Sequence, residues 1–213
     1  SVAVLYFENN TGNPSLDWLR TGLTDMVVTD LSQTPDVEVL STDRLYRILS
    51  QLRRADDRII SADVVQEVAQ RAGVQTVLLG SYVKAGDTIR INVKLQEAKS
   101  SRIVTAERVE GIGEASLFSM VAELTRRIKT RLLPRAAEAP LTRLLKPPGS
   151  EATPAVDRGV KDITAASIEA YRYYAEGIDL HTRLKEREAI PLFQKALEVD
   201  PGFAMALAKL AII

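Results

Sequence analysis

The densest set of side chains with chemical potential falls in one loop, Glu8-Asn9-Asn10-Thr11-Gly12-Asn13-Pro14-Ser15, between the apolar run Val2–Phe7 and a helical pattern that begins near Leu16. In open α/β sheets, ligands bind at such strand-to-helix turns, and helix N-termini attract anions there. The loop has a single glycine, Gly12, and spells neither GxGxxG nor GxxxxGK[ST], so no phosphate cradle is encoded. Asn9, Asn10 and Asn13 are more often turn formers than ligand contacts, because their side chains bond the backbone two residues on. Trp18 can anchor a partner or cover the core, and the core is the commoner role. The candidate ligand or partner loop is therefore Asn9, Asn10, Thr11, Gly12 and Asn13, with Trp18 beside it.

Other chemistry is thinly supplied. Asp56, Asp57, Glu110 and Glu114 are scattered carboxylates on predicted loops, where solvation is the usual state. His181 is the one histidine and there is no cysteine, so disulfides, thiolate nucleophiles and multi-histidine metal centres are excluded. His181 sits late in a predicted helix near a polar turn, where exposure is expected. No catalytic residue, metal ligand or cofactor follows, and the chain reads as a non-enzyme. Lys and Arg number 28 and Asp and Glu 28, which removes the broad attraction that nucleic acid or an anionic membrane needs. Apolar runs such as Val77–Gly80 fall far short of the roughly 20 residues that span a bilayer, so no membrane insertion is expected.

The elements that must hold the loop follow from periodicity. Val2–Phe7 predicts a strand buried on both faces. Asn13 with Pro14, or Ser15 alone, caps a helix whose Leu16, Leu19, Leu23, Met26, Val27 and Leu31 form one apolar stripe. Val37 and Val39 alternate as a second strand would. Ser41 or Thr42 starts a helix through Leu45, Ile48, Leu49 and Leu52, and Ser61 starts another through Val68, closed by Gly73 in the left-handed conformation. Strands follow over Val74–Val83, over Ile89–Leu95 with strict alternation, and around Ile103–Val109. A last helix runs from Leu117 to Leu132. Its basic cluster Arg126, Arg127, Lys129 and Arg131 suits the negative end of the helix dipole. The expected fold is α/β, a mixed sheet in the order β-α-β-α-α-β-β-β-α with helices mainly on one face, spanning residues 1–133. Residues 134–166, rich in Pro, Ala and Thr, read as a linker with one docked turn around Leu141, Leu144 and Leu145.

From Ser167 onward the spacing fits the TPR template of about 34 residues. Tyr173 takes the Trp place, Gly177 the Gly, Ala189 and Phe193 the A-x3-F pair, Ala196 the next small position, and Pro201 closes the unit. Glu176 and Leu180 depart from the template. Small residues at 177 and 189 let two helices cross closely, and Pro201 turns the chain. The sequence FAMALAKLAII then begins a second repeat, and the chain stops there, which reads as a truncated array over residues 167–213. One repeat cannot bury its own face, so these helices are expected to dock on the α/β part or to form a homodimer with another copy. A protein or peptide partner is expected in the repeat's groove, and the polar sheet face with Arg90, Asn92 and Lys94 offers a second surface.

SVAVLYFENNTGNPSLDWLRTGLTDMVVTDLSQTPDVEVLS, VAQRAGVQTVLLGSYVKAGDTIRINVKLQEAKSSRIVTAERVEG, EAYRYYAEG and ALEVDPGFAMALAKLA together resemble the bacterial TolB N-terminal-like domain followed by TPR repeats. The likeness spans nearly all the chain outside the linker and residues 51–60. That resemblance implies the regulatory or sensory half of a signalling protein, linked to a kinase, an adenylyl cyclase or a winged-helix effector. The chain carries no kinase catalytic loop, cyclase metal-binding pattern or recognition helix. An alternative is a cell-envelope assembly or translocation component like TolB. A second alternative is a ligand-binding or enzymatic α/β domain using the 8–15 loop. Fold likeness alone does not choose among them.

Overall fold

The computed structural model describes residues 1–132 and 167–213; the expected linker lies outside the described residues. The elements in chain order are β1 (Val2–Val4), β2 (Glu8–Asn9), α1 (Trp18–Ser32), α2 (Thr42–Gln51), α3 (Ala62–Ala72), β3 (Thr76–Ala85), β4 (Thr88–Glu97), β5 (Ile103–Ile112), α4 (Leu117–Leu132), α5 (Ile168–Thr182), α6 (Glu186–Val199) and α7 (Ala204–Ile212). A mixed sheet has the order β1-β3-β4-β5, with β2 also on β3. Both β1 and β2 run parallel to β3, and β3–β4–β5 is an antiparallel meander. The parallel pairing needs a crossover, which α1, α2 and α3 supply. The meander needs only tight turns, and Gly86 at φ +58° closes the first of them.

Two expectations require correction. Val37–Val39 is not a second strand: Val39 makes a single parallel bridge to Val2, fixed by Val2 N to Glu38 O and Leu40 N to Val2 O. Pro35 and Asp36, the latter at φ +68°, bend the chain just before the segment and leave too little extended backbone for a ladder. The order is therefore β-β-α-α-α-β-β-β-α, followed by three helices. The helices also cover both faces. Val2, Val4, Leu78 and Tyr82 turn toward α1, α4 and the C-terminal helices, and Ala3, Leu5 and Val77 turn to the other side, against α2 and α3. Alternation in β1 and β3 is masked because both faces are buried, which is why the run looked continuous. Only the β4–β5 half leaves one face, with Arg90, Lys94, Arg108 and Glu110, exposed.

Helix α1 is the hub. Leu19, Leu23, Met26, Val27 and Leu31 enter the sheet-side core, while Gly22, Thr24, Asp25 and Asp30 are buried on its other sides. Asp30 accepts a hydrogen bond from Thr125 and lies 3.4 Å from Lys129 Nζ, tying α1 to α4. No described helix is long and apolar enough to cross a membrane.

The loop end of the sheet is closed by Phe7 lying on Gly80. A Cβ at 80 would stand 2.2 Å from Phe7 Cε1. Gly80→Ala is expected to lower stability by about 2 kcal/mol through overpacking, read as a drop in the urea midpoint at unchanged slope. An unchanged midpoint would show that Phe7 moves freely.

Candidate functional site

The 8–17 loop folds on itself. Asn9 Nδ2 donates to Asn13 O at 3.0 Å and to Asp17 Oδ1 at 2.6 Å, while Asn9 Oδ1 accepts from Thr11 N and Oγ1. Asn13 Oδ1 accepts from Ser15 N and caps the short 3-10 turn Pro14–Leu16. Asn10 N donates to Tyr82 O, and Gly12 holds φ +71° at the tip. Tyr82 Oη donates to Leu16 O at 2.8 Å, fastening the turn to the sheet. The side-chain polar atoms of Asn9 and the Oδ1 of Asn13 are thus spent on the loop's own shape. Among the described residues no group of three or more His, Asp or Glu could hold a metal.

What the loop does build is one wall of a groove of about 430 Å³. Pro14, Ser15, Asp17, Trp18, Arg20 and Thr21 face Arg172, Glu176, Asp179, Leu180 and Arg183 of the α5 segment, with Leu192 of α6 beside them. Three cations and three anions rim it, and most are paired: Arg172 with Glu176 at 3.0 Å, Arg183 with Asp179 at 3.0 Å, and Asp17 with Arg58 at 3.2 Å. Trp18 is 6% exposed, and its Nε1 has no hydrogen-bond partner; Arg20 Nε is likewise unpaired. Buried donors without partners are rare in folded proteins.

Two further contacts fix the walls. The 53–60 loop reaches across: Arg20 Nη2 donates to Asp57 O and Arg183 Nη1 to Asp56 Oδ1, each at 2.5 Å. At the base, Gly22 and Ala175 bring α1 and α5 close, a Cβ on Gly22 lying 3.4 Å from that of Ala175. There Tyr171 donates its hydroxyl hydrogen to Asp25 Oδ2 at 2.8 Å, with Gly22 O at 3.2 Å. Burial pushes Asp25 up to about 6, against the opposing pull of the Tyr171 hydrogen bond and the Lys209 charge. Burial also raises Tyr171, so the phenol stays a donor.

The C-terminal residues singled out by spacing come together. Phe193 lies on Gly177, where a Cβ would be 2.7 Å from Cε1, and Ala189, Phe193 and Ala196 are fully buried. Tyr173 stands at the edge of this core under Lys195 Nζ, while Tyr171 and Tyr174 take the interior, packed with Phe118, Phe193 and Phe203. Pro201 sits in the turn between α6 and α7. His181 pairs with Glu186 at 2.8 Å, apart from the groove. Spacing missed Asp25, Tyr171 and the 53–60 loop. The available signal was a glycine and an acid, Gly22 and Asp25, next to the stripe residues Leu23 and Met26 of α1.

No family profile matches the chain. The Rhizobium meliloti (strain 1021) protein named "Putative adenylate cyclase 3" is 27% identical over all 213 residues, and the chain spans 32% of that relative's length. Among solved structures, the LpoB C-terminal domain from Escherichia coli is 17% identical, with TM-score 0.44, over 52% of this chain and 82% of that one. A lipoprotein from Neisseria meningitidis gives 15% and 0.45 over 62% of this chain and 98% of that one. TolB from Acinetobacter baumannii gives 15% and 0.39 over 62% of this chain and 27% of that one. Likenesses at this level concern chain path and leave function to the site itself.

Proposed function

We propose that the chain is a non-catalytic protein-binding module that holds a peptide segment in the groove between the 14–21 segment and α5. The observation that carries this reading is the groove's make-up: the indole of Trp18 in its floor, apolar Leu180 and Leu192, and a rim that carries charges of both signs. Such a surface suits a peptide with apolar anchors and polar edges. In this reading residues 1–133 and 167–213 are two units, and Tyr173, Gly177, Ala189, Phe193, Ala196 and Pro201 form the scaffold of a TPR-type helix pair. Asn9, Asn10, Thr11, Gly12 and Asn13 shape the groove wall, Trp18 contacts the partner, and the chain itself performs no reaction.

Two settings meet this reading. In one the module is the sensory or regulatory part of a signalling protein, in keeping with the cyclase name of the relative that is similar over the whole chain. In the other it serves envelope assembly, the side on which a lipoprotein and TolB fall by name. Their likeness is too slight to carry function, so the module is proposed without a compartment.

Selection from a displayed random-peptide library on the 213-residue chain tests the reading. Binders are expected to weaken about tenfold or more with Arg172→Glu, which reverses a rim charge, and with Ser15→Trp, which fills the groove. Lys94→Glu on the sheet's exposed face should leave them unchanged. Selection without binders, binders indifferent to the groove variants, or turnover of a nucleotide by the purified chain would overturn it.

A further inference from the structure

The outer edge of β5 is a ten-residue strand paired on one side only; among the described residues no strand lies beyond it. Gly113 N donates to Asp87 O on the β4 side, so odd-numbered residues of this run turn their backbone groups inward and Ala106, Arg108, Glu110 and Ile112 turn theirs outward. The Arg127 side chain fits that assignment: its Nη1 donates to Arg108 O at 3.3 Å, a borrowed donor where a neighbouring strand would supply one. The irregularity at Leu95/Gln96 lies at the Ile103 end, which leaves the register from Thr105 to Ile112 unbroken. Ile112 is 77% exposed, an apolar side chain on an open edge. Unpaired edges of this kind are templates for another strand.

We propose that two copies of the chain pair through this edge, antiparallel about a twofold axis at Val109, with Arg108 of each copy opposite the partner's Glu110. Charge selects this register. Outward groups must meet outward groups, so even-numbered residues face even-numbered residues. Axes at Glu107, Arg108 or Glu110 set like charges face to face, which destabilises a pair, an axis at Gly111 leaves only Glu110 against Ile112 within the strand, and an axis at Ala106 draws in the irregular end. The axis at Val109 sets Arg108 against Glu110 twice and Ala106 against Ile112 twice, covering the exposed isoleucine. Glu110, already 2.8 Å from Arg90 and 3.7 Å from Arg108 of its own strand, then lies between Arg90 and the second copy's Arg108. Arg108 O passes from the Arg127 side chain to the partner's Glu110 N–H. This association uses β5 residues, none of which lines the groove proposed above, and does not require contact between C-terminal helices.

Sedimentation of the 213-residue chain over a concentration series should show a monomer–dimer equilibrium. Arg108→Glu and Glu110→Arg each set like charges opposite one another and are expected to weaken the dimer about tenfold or more, while mixing the two variants restores it as a heterodimer. Restoration also shows that both variants are folded. Because the chain has no cysteine, a single spin label at Ile112→Cys reports the register: the two labels should lie about 20 Å apart, six residues along the paired strands. Arg127→Ala removes the competing donor and should leave the dimer intact or tighter. A monomer at every concentration, Glu110→Arg dimerising undiminished, a mixture that stays monomeric, or loss of the dimer on Leu207→Lys at the exposed face of α7 would each overturn the proposal.

Discussion

Gly177→Leu is expected to destroy the packing of α5 on α6, at a cost of at least about 3 kcal/mol, while the meander β3–β4–β5 keeps its protection from hydrogen exchange. The reason is local. Phe193 occupies the space a side chain at 177 would need, with Cε1 and Cδ1 at 2.7 and 2.9 Å from a Cβ placed there. Phe193 cannot give way alone, because its ring packs on Tyr174 at 5.8 Å between centroids and Tyr174 packs on Phe203 at 4.9 Å. Displacement therefore runs through α6 into the start of α7. The sheet has its own support on that face from α1 and α4, through Leu23, Met26, Val121 and Leu124, whereas the atoms nearest position 177 all belong to Phe193. Amides over 168–212 should exchange fast, and those over Thr76–Glu97 slowly. Uniform loss of protection over the whole chain would mean that residues 1–133 and 167–213 are one cooperative unit and not two.

Legibility followed the range of the interaction. The β4 alternation Ile89, Ile91, Val93, Leu95 and the left-handed cap at Gly73, φ +69°, are local and were readable. The contacts of Gly177 with Phe193 also follow from spacing, because a helix pair with a short connection brings fixed offsets together. Contacts that depend on where distant elements settle were not readable. Val37–Val39 alternates like a strand, yet only one bridge forms, since its neighbour β1 is itself three residues long. Asp56 is a solvated loop acid, its side chain 81% exposed, yet its carboxylate meets Arg183 and the neighbouring Asp57 backbone carbonyl accepts from Arg20, across separations of 127 and 37 residues that local pattern does not reach. In the loop itself, Asn9 and Asn13 bond the loop's own atoms, and the groove arises only because α5 docks opposite Trp18. A charged residue beside an apolar stripe, as at Asp25, is a sign of a partner without being a sign of which partner.

That residue gives the second large effect. Asp25 is 9% exposed, and burial raises its carboxyl to about 6, above the ordinary value near 4 for an unfolded chain. Between those values the folded protein holds a proton that the unfolded chain has released, so stability is greatest at the acid end and declines as pH rises through about 6. A displacement of about two units corresponds to about 3 kcal/mol at neutral pH relative to a side chain that never ionises. Asp25→Asn is therefore expected to stabilise the chain by about 2–3 kcal/mol at pH 7, because the amide oxygen still accepts from Tyr171 without burying a charge. Near pH 4 the variant and the parent should be alike. Carboxylates held low by arginines, such as Glu97 beside Arg102, titrate in the opposite sense but are common to both proteins and cancel in the difference. Thermal or urea unfolding of the pair from pH 4 to 8 measures the effect directly. A variant less stable than the parent at pH 7 would mean that the Asp25 carboxylate is stabilised by Tyr171 and the Lys209 charge more than burial penalises it, and that the α1–α5 join is a favourable ionic anchor at neutral pH.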